Sequence, residues 1–218
     1  MIWQFIGQDP FFFLFWLVSV VVALTIHEFS HALVAFWCGD HTAQREGRLS
    51  LNPIVHIDPW GAFLLLVAGF GWAKPVPFSP YHLRSPKRDS ILIALAGPAS
   101  NFLLAAVAAC SIRLLGTVQP SLLSTGLGIF LLFFVIINLS LALFNLLPVP
   151  PLDGSKLLLV LLDQPHHVRW RECVVTQGPW VLMGLVLISV FTPLNPFFWL
   201  SEGVFFVCRQ LVGFTCLG

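Results

Sequence analysis

Two histidines and a glutamate lie within five consecutive residues, as His27, Glu28 and His31. On an α-helix, residues four apart lie nearly one above the other, so both imidazoles can reach one metal ion from the same side. Glu28 then points about 100° away around the helix axis, beside that ion. The pattern H-E-x-x-H is typical of zinc hydrolases, in which the glutamate is the general base. We therefore expect one Zn²⁺ per chain.

The residues before this motif are apolar, which raises an alternative: the histidines and the glutamate are buried polar groups satisfied by hydrogen bonds. Ionisable groups within membrane-spanning segments are costly and usually functional. Three such groups in five residues favour a shared divalent cation over three separate partners.

The composition predicts a membrane protein. Hydrophobic residues make up 57% of the 218 residues and charged residues 10%, whereas soluble domains have roughly 25% charged residues. A net charge of +1 gives no basic surface for nucleic acid. We expect one domain, residues 1–218, with a core at 10–162 and C-terminal helices at 178–217.

Five stretches are apolar enough to be spans, of which the fourth is marginal in length. They are residues 10–37, 91–115, 125–147, 178–191 and 197–214. The first has no cationic residue before it and no cleavage site after it, so we expect a retained span and not a secretory signal. The prediction is an all-α polytopic membrane protein with about five transmembrane helices.

The chain after the first span changes character. Residues 41–60 are polar and contain two prolines, which favours short strands and turns at the membrane surface. Residues 61–72 are apolar but too few to cross, so we expect a re-entrant or interfacial segment.

The cationic residues predict the orientation of the spans. Those after the first span are Arg45, Arg48, Lys74, Arg84, Lys87 and Arg88, and those after the third are Lys156, Arg169 and Arg171. Residues 116–123 and 192–196 contain none. Because cytoplasmic loops carry an excess of lysine and arginine, the motif end of the first span is expected near the cytoplasmic face.

A catalytic zinc site typically has three protein ligands, so another residue must join the two histidines. The candidates are Asp153, His41, His56, His82, His166, His167, Asp40, Asp58 and Glu172. Asp153 is favoured because it follows the third span at the depth of His31, where prolines keep the backbone out of a helix. An aspartate before a helix is also a common N-cap, and spacing alone leaves both interpretations open.

Asn145 lies in the last turn of the third span. Its amide could hold a substrate carbonyl near the metal or bond to a neighbouring helix within the lipid. His56 could have a structural role or a metal role, and His166 and His167 are expected to be solvated.

The five cysteines, Cys38, Cys110, Cys173, Cys208 and Cys216, have no C-x-x-C spacing and are odd in number. Neither a disulfide framework nor a thiolate metal site is expected from them.

Two motifs occur together: H-E-x-x-H at residues 27–31 and N-x-x-P-x-P-x-x-D-G at residues 145–154. The pair resembles the site-2 protease family of intramembrane metalloproteases. Residues 51–61, 71–77 and 97–101 are similar to the small bacterial and archaeal branch of that family. The resemblance covers residues 20–160, and we expect a minimal form without a PDZ domain or nucleotide-sensing tail.

The resemblance implies that His27, His31 and Asp153 bind zinc, that Glu28 is the general base and that Asn145 orients the substrate. It implies hydrolysis of peptide bonds in or near transmembrane helices of membrane protein substrates. The expected location is a bacterial or archaeal cell membrane, with the site toward the cytoplasmic side. Homo-oligomers are left open.

A different class of function is a metal-binding membrane protein without catalysis, such as a transporter or an inactive regulator. A transporter is expected to have paired half-helices, or repeated halves with intramembrane ligands in both. This sequence has neither of these features. Hydrolysis of a non-peptide substrate is a second alternative.

Overall fold

The computed structural model describes residues 10–69, 71–213 and 216, and every regular element within them is helical. The α-helices are α1 (Pro10–Trp37), α2 (Thr42–Arg45), α3 (Pro59–Ala68), α4 (Pro86–Val118), α5 (Gly126–Asn145), α6 (Gly154–Leu161), α7 (Val168–Phe191) and α8 (Phe198–Val212). Short 3₁₀ turns lie at Pro53–Val55, Pro80–His82, Pro120–Ser124 and Pro165–His167. The predicted all-α fold is confirmed for this part of the chain.

Four helices, α1, α4, α5 and α7, are long and apolar enough to cross a membrane, which makes the chain a multi-pass membrane protein. The first three contain or match the predicted spans at 10–37, 91–115 and 125–147. The predicted span at 178–191 is the second half of α7. The one at 197–214 overlaps α8, a 15-residue helix that is not among the four. The count of about five is therefore not confirmed.

Helices α1, α4 and α5 form the centre of the structure. The N-terminal ends of α1 and α5 lie together, because the rings of Phe15 and Phe130 are 5.9 Å apart. The buried residues of the centre are mostly small, and small residues let helix backbones approach closely in lipid. They include Ala23, Ala32, Ala35, Ala94, Ala105, Ala108, Ala109 and Ala142.

Helix α8 completes the bundle by packing against α4 and α5. The ring of Phe197, just before α8, lies 5.6 Å from that of Phe144 at the end of α5. At the other end of α8, Arg113 of α4 donates a 2.7 Å hydrogen bond to the carbonyl of Gln210. Helix α8 therefore runs antiparallel to α5 and parallel to α4.

A disulfide joins Cys208 to Cys216. The expectation of unpaired cysteines was wrong for these two, whereas Cys38, Cys110 and Cys173 are free thiols. The pairing depends on where the chain goes after α8, which cysteine spacing does not reveal. Gly213 ends α8 with φ +91°, a left-handed conformation in which other residues are strained.

The region after α1 contains no strand among its described residues, and only one isolated antiparallel bridge, between Ile57 and Ala73, pairs extended chain there. The predicted strands and re-entrant segment are not confirmed. In their place the short helix α3 begins after Asp58, whose side chain accepts from the N–H of Gly61. A Cβ on Gly61 would lie 2.1 Å from the carbonyl oxygen of Trp72, so the absent side chain lets residues 71–72 cross the start of α3.

Candidate metal centre

His27 and His31 lie one turn apart in the C-terminal half of α1, and both are buried. Their Nε2 atoms are 3.0 Å apart, so the two imidazoles meet on one face of the helix. The arrangement is the one that the i, i+4 spacing predicts.

The structure brings Asp153 to the two histidines. Its Oδ2 atom lies 3.1 Å from Nε2 of His27 and 3.0 Å from Nε2 of His31. The side chain makes no capping hydrogen bond to α6, so the N-cap alternative does not describe it. Among the described residues, these three form the only group of histidine, cysteine, aspartate or glutamate side chains placed to hold a metal ion.

The other ring nitrogen of each histidine is engaged elsewhere. Nδ1 of His27 donates to Oδ1 of Asn101 over 2.6 Å, and Nδ1 of His31 donates to the carbonyl of Ile93 over 2.6 Å. Each Nε2 of a neutral imidazole then carries a lone pair. With both histidines neutral, three electron-pair donors, two nitrogens and Oδ2 of Asp153, thus face one another inside the protein, an arrangement that a cation between them would stabilise.

Zinc fits this donor set. Tetrahedral Zn²⁺ with bonds of about 2.0 to 2.1 Å separates its ligand atoms by roughly 3.3 Å. The three separations in the structure are 3.0, 3.0 and 3.1 Å, so the ligand atoms need to move apart only slightly to hold the ion. Imidazole and carboxylate are also ligands that suit zinc.

Gly97 of α4 forms one wall of the site. A Cβ at this position would lie 2.4 Å from Nε2 of His31 and 2.6 Å from Nε2 of His27. A side chain at position 97 would therefore overlap the two Nε2 atoms. Helix α4 can pack this close to the histidines only because residue 97 is a glycine.

Glu28 is buried beside the histidines on α1. Its Oε2 atom accepts a 3.2 Å hydrogen bond from the backbone N–H of Val76, in the chain that follows α3. Arg48, which is buried, donates to the carbonyls of Lys74 and Pro75, the latter at 3.0 Å. Arg48 thus holds the two residues that directly precede Val76, whose N–H donates to Glu28.

Asp40 fixes the far end of the same chain. Its Oδ2 accepts from the N–H of Ser79 over 2.6 Å, and its Oδ1 accepts from Thr42 and His82. Burial alone would raise the pKa of the Asp40 carboxyl, but these hydrogen bonds outweigh burial and lower the pKa below its ordinary value. Asp40 is therefore a structural carboxylate and not the third ligand.

Asn101 is the main functional residue whose role sequence analysis did not assign. It is fully buried, and its Nδ2 donates to the carbonyl of Ala23 and to Oδ1 of Asn138 at 3.1 and 2.9 Å. These bonds orient the amide so that Oδ1 faces His27. The signal was present in the segment 97–101, but no spacing rule linked it to a histidine 74 residues away.

The other histidines and acidic residues considered from the sequence do not belong to this group of three. The amide of Asn145 donates to the carbonyl of Leu141, one turn earlier in α5. His56 is buried and donates from Nε2 to the carbonyl of Ser50 over 2.8 Å, which supports its structural alternative. The ring centres of His166 and His167 lie 3.9 Å apart, with the two ring planes tilted by 52°.

Comparison with known proteins gives a family match. The sequence profile of peptidase family M50 matches residues 114–185, a stretch that contains Asp153 but not the two histidines. No solved structure matches the chain.

The relatives include several proteins that carry the name "putative zinc metalloprotease". YwhC of Bacillus subtilis is 40% identical over 183 residues, which are 83% of this chain and 81% of the relative. Rip2 of Mycolicibacterium smegmatis is 29% identical over 189 residues, 84% of this chain and 68% of the relative. A protein of the archaeon Methanocaldococcus jannaschii is 32% identical over 177 residues, 81% of this chain and 78% of the relative.

The likeness to the Bacillus protein extends over most of both chains. This chain belongs to peptidase family M50.

Proposed function

We propose that this protein is a zinc metalloprotease that hydrolyses peptide bonds in or near transmembrane helices of membrane protein substrates. The observation that carries the proposal is the convergence of His27, His31 and Asp153 beside the buried Glu28, within a bundle of membrane helices. Membership of a peptidase family and the names of the relatives support the same chemistry.

His27 and His31 would hold zinc through Nε2, and Asp153 through Oδ2. Bound there, zinc supplies a Lewis acid and lowers the pKa of a water ligand toward about 7. Asn101 and the carbonyl of Ile93 keep the Nδ1 protons in place, so that each Nε2 presents its lone pair to the ion.

Glu28 is the general base in this proposal. It takes a proton from the attacking water and passes it to the leaving amine. The N–H of Val76 holds one carboxylate oxygen and leaves the other for the water. Because Arg48 donates to the carbonyls of Lys74 and Pro75, just before Val76, the position of that N–H is set by the fold.

Asn145 would orient the substrate from the end of α5. Its Nδ2 is engaged with Leu141, which fixes the amide plane and leaves its oxygen and its second N–H for a substrate main chain. A substrate helix must unwind locally first, because its peptide groups are otherwise paired with one another. The antiparallel bridge between Ile57 and Ala73 marks where an unwound strand could add to extended chain.

We propose that the metal centre faces the cytoplasm. The loops on its side carry most of the lysines and arginines, whereas residues 116–123, at the opposite end of α4, carry none. The Cys208–Cys216 disulfide lies beside Arg113, at the opposite end of α4 from Gly97. Disulfides persist on the oxidising side of a cell membrane, which agrees with that orientation.

The packing of α8 bears on the number of crossings. Because Phe197 contacts the end of α5, residues 192–196 return on the side of the metal centre. Gly178, in the middle of α7, lies against Pro150 on that same side. We propose that α1, α4, α5 and α8 cross fully and that α7 enters the bilayer without traversing it, in place of the five crossings predicted from sequence.

Replacing Glu28 by glutamine is expected to lower kcat by at least about a hundredfold while zinc stays bound, because the amide cannot accept the proton. Cleavage of a fluorogenic transmembrane peptide and zinc content by atomic emission measure the two effects. Glu46→Gln, an exposed glutamate after α2, is the matched control and should leave both unchanged. Full activity of Glu28→Gln would contradict the assignment, and full activity without zinc would remove the metalloprotease proposal.

Replacing Gly97 by alanine is expected to abolish zinc binding, because the new methyl group overlaps the space between the two Nε2 atoms. Zinc content after purification in detergent measures this. Gly184→Ala, another helical glycine with nothing within 4 Å of its Cβ position, should retain zinc. Stoichiometric zinc in Gly97→Ala would place the metal elsewhere.

Replacing Asn101 by leucine is expected to weaken zinc binding by about 10- to 100-fold, because the Nδ1 proton of His27 loses its acceptor. Competition with a chelator of known affinity measures the change. Ser19→Ala is a matched control, since Ser19 is equally buried in α1 but bonds only to the carbonyl of Phe15. Equal zinc affinity in both variants would show that Asn101 does not tune the ligand.

Single cysteines at Ser121 and Asn195, introduced after the three free cysteines are replaced by alanine, test the topology. A membrane-impermeant thiol reagent is expected to label Ser121→Cys in intact cells and Asn195→Cys only after permeabilisation. Labelling of both in intact cells would support five crossings. The reverse pattern would place the metal centre outside the cytoplasm.

A further inference from the structure

The two carboxylate oxygens of Asp153 have different partners. Oδ2 faces Nε2 of His27 and of His31, at 3.1 and 3.0 Å. Oδ1 accepts a hydrogen bond from Nζ of Lys156 over 2.9 Å. One oxygen is therefore directed at the metal position, and the other is held by a cation from the protein.

The local backbone fixes this division. Asp153 directly precedes α6 and Lys156 lies in its first turn, where the N–H of Lys156 donates to the carbonyl of Asp153. Gly154 allows the turn to pack against the end of α5, since a Cβ there would lie 2.2 Å from the carbonyl oxygen of Leu146. Ser155 closes the turn by donating to the carbonyl of Leu152 through both its N–H and its hydroxyl.

Lys156 is also held from its other side. Its ammonium lies 5.4 Å from the centre of the Phe78 ring, within cation–π range. Phe78 belongs to the chain that runs from Val76, the residue that donates to Glu28, to Ser79. The lysine therefore lies between the aspartate and the chain that positions the proposed base.

We propose that Lys156 is a positioning residue that keeps Asp153 a one-oxygen ligand. A carboxylate can bind a metal through one oxygen or through both. A charge-assisted hydrogen bond to Oδ1 competes with its use as a ligand and leaves Oδ2 alone for the ion. Two nitrogens and one oxygen then leave the fourth tetrahedral position for water, as catalytic zinc sites require. This inference rests on the proposed zinc site.

A second lysine–aspartate pair in the structure shows what an ordinary surface ion pair looks like. Lys87 and Asp163 are also 2.9 Å apart, but their side chains are 66% and 38% exposed. The side chains of Lys156 and Asp153 are 31% and 9% exposed. Exposed pairs contribute little to stability. Replacing Lys87 therefore serves as a control that removes a lysine from an ion pair without removing the contact between Lys156 and Asp153.

The test uses cobalt(II) chloride as the probe, added to full-length protein in detergent after zinc removal. Cobalt reports its coordination number, because four-coordinate sites absorb visible light much more strongly than five-coordinate ones. We expect strong absorption from the wild type, Lys87→Met and Lys156→Arg. Lys156→Met should bind cobalt with clearly weaker absorption, because Oδ1 becomes free to join the ion. Lys156→Gln, which retains a neutral donor, should be intermediate and replaces the methionine variant if that variant does not fold.

Activity gives a second readout. With zinc, Lys156→Met should lower kcat by about 10- to 100-fold at nearly unchanged KM, and arginine should restore it. If Lys156→Met has the wild-type cobalt spectrum, the proposed role of Lys156 is wrong, although the proposed metal site still holds. If Lys156→Met does not fold, the same conclusion follows from a wild-type spectrum of Lys156→Gln. Absence of cobalt binding by the wild type would overturn the proposed function itself, and the inference with it.

Discussion

The structure depends on three electron-pair donors that meet in the interior of a membrane protein. Nε2 of His27, Nε2 of His31 and Oδ2 of Asp153 are mutually 3.0 to 3.1 Å apart, and none of them has a proton to give the others while both histidines are neutral. Such a cluster is costly without a cation. The surrounding helices bring the three donor atoms together, and Gly97 leaves space between them.

Three separate segments of the chain must pack together for this cluster to form. Helix α1 supplies the histidines, the turn after α5 supplies the aspartate, and α4 supplies Gly97, the one position where a side chain would fill the space. The alanine-rich contacts among α1, α4 and α5 keep the backbones close enough for this. Asn101 and Asn138 link the same three helices by hydrogen bonds, so the packing and the orientation of His27 are set together.

The polar chain after α3 serves the site from the other side. Arg48 holds it through two carbonyls, although Nε and Nη1 of that buried guanidinium have no hydrogen-bond partner in the described structure. Unpaired buried donors cost free energy, and such groups often mark functional regions. Between the anchors at Arg48 and Asp40, the chain offers the N–H of Val76 to Glu28 and the ring of Phe78 to Lys156. One segment thus contacts both the proposed base and Lys156, the partner of the proposed metal ligand Asp153.

The sequence by itself determined the chemistry. The spacing of His27 and His31 puts two imidazoles on one helix face whatever the rest of the fold does, because that geometry is local. Hydropathy likewise determined α1, α4 and α5, since the bilayer sets their length and composition. Tertiary structure alone decided what depends on contacts between distant residues. It selected Asp153 over eight other candidates, joined Cys208 to Cys216, and gave Asn101, Gly97 and Lys156 their places at the site. No periodicity encodes these choices, because each depends on how closely separate helices pack.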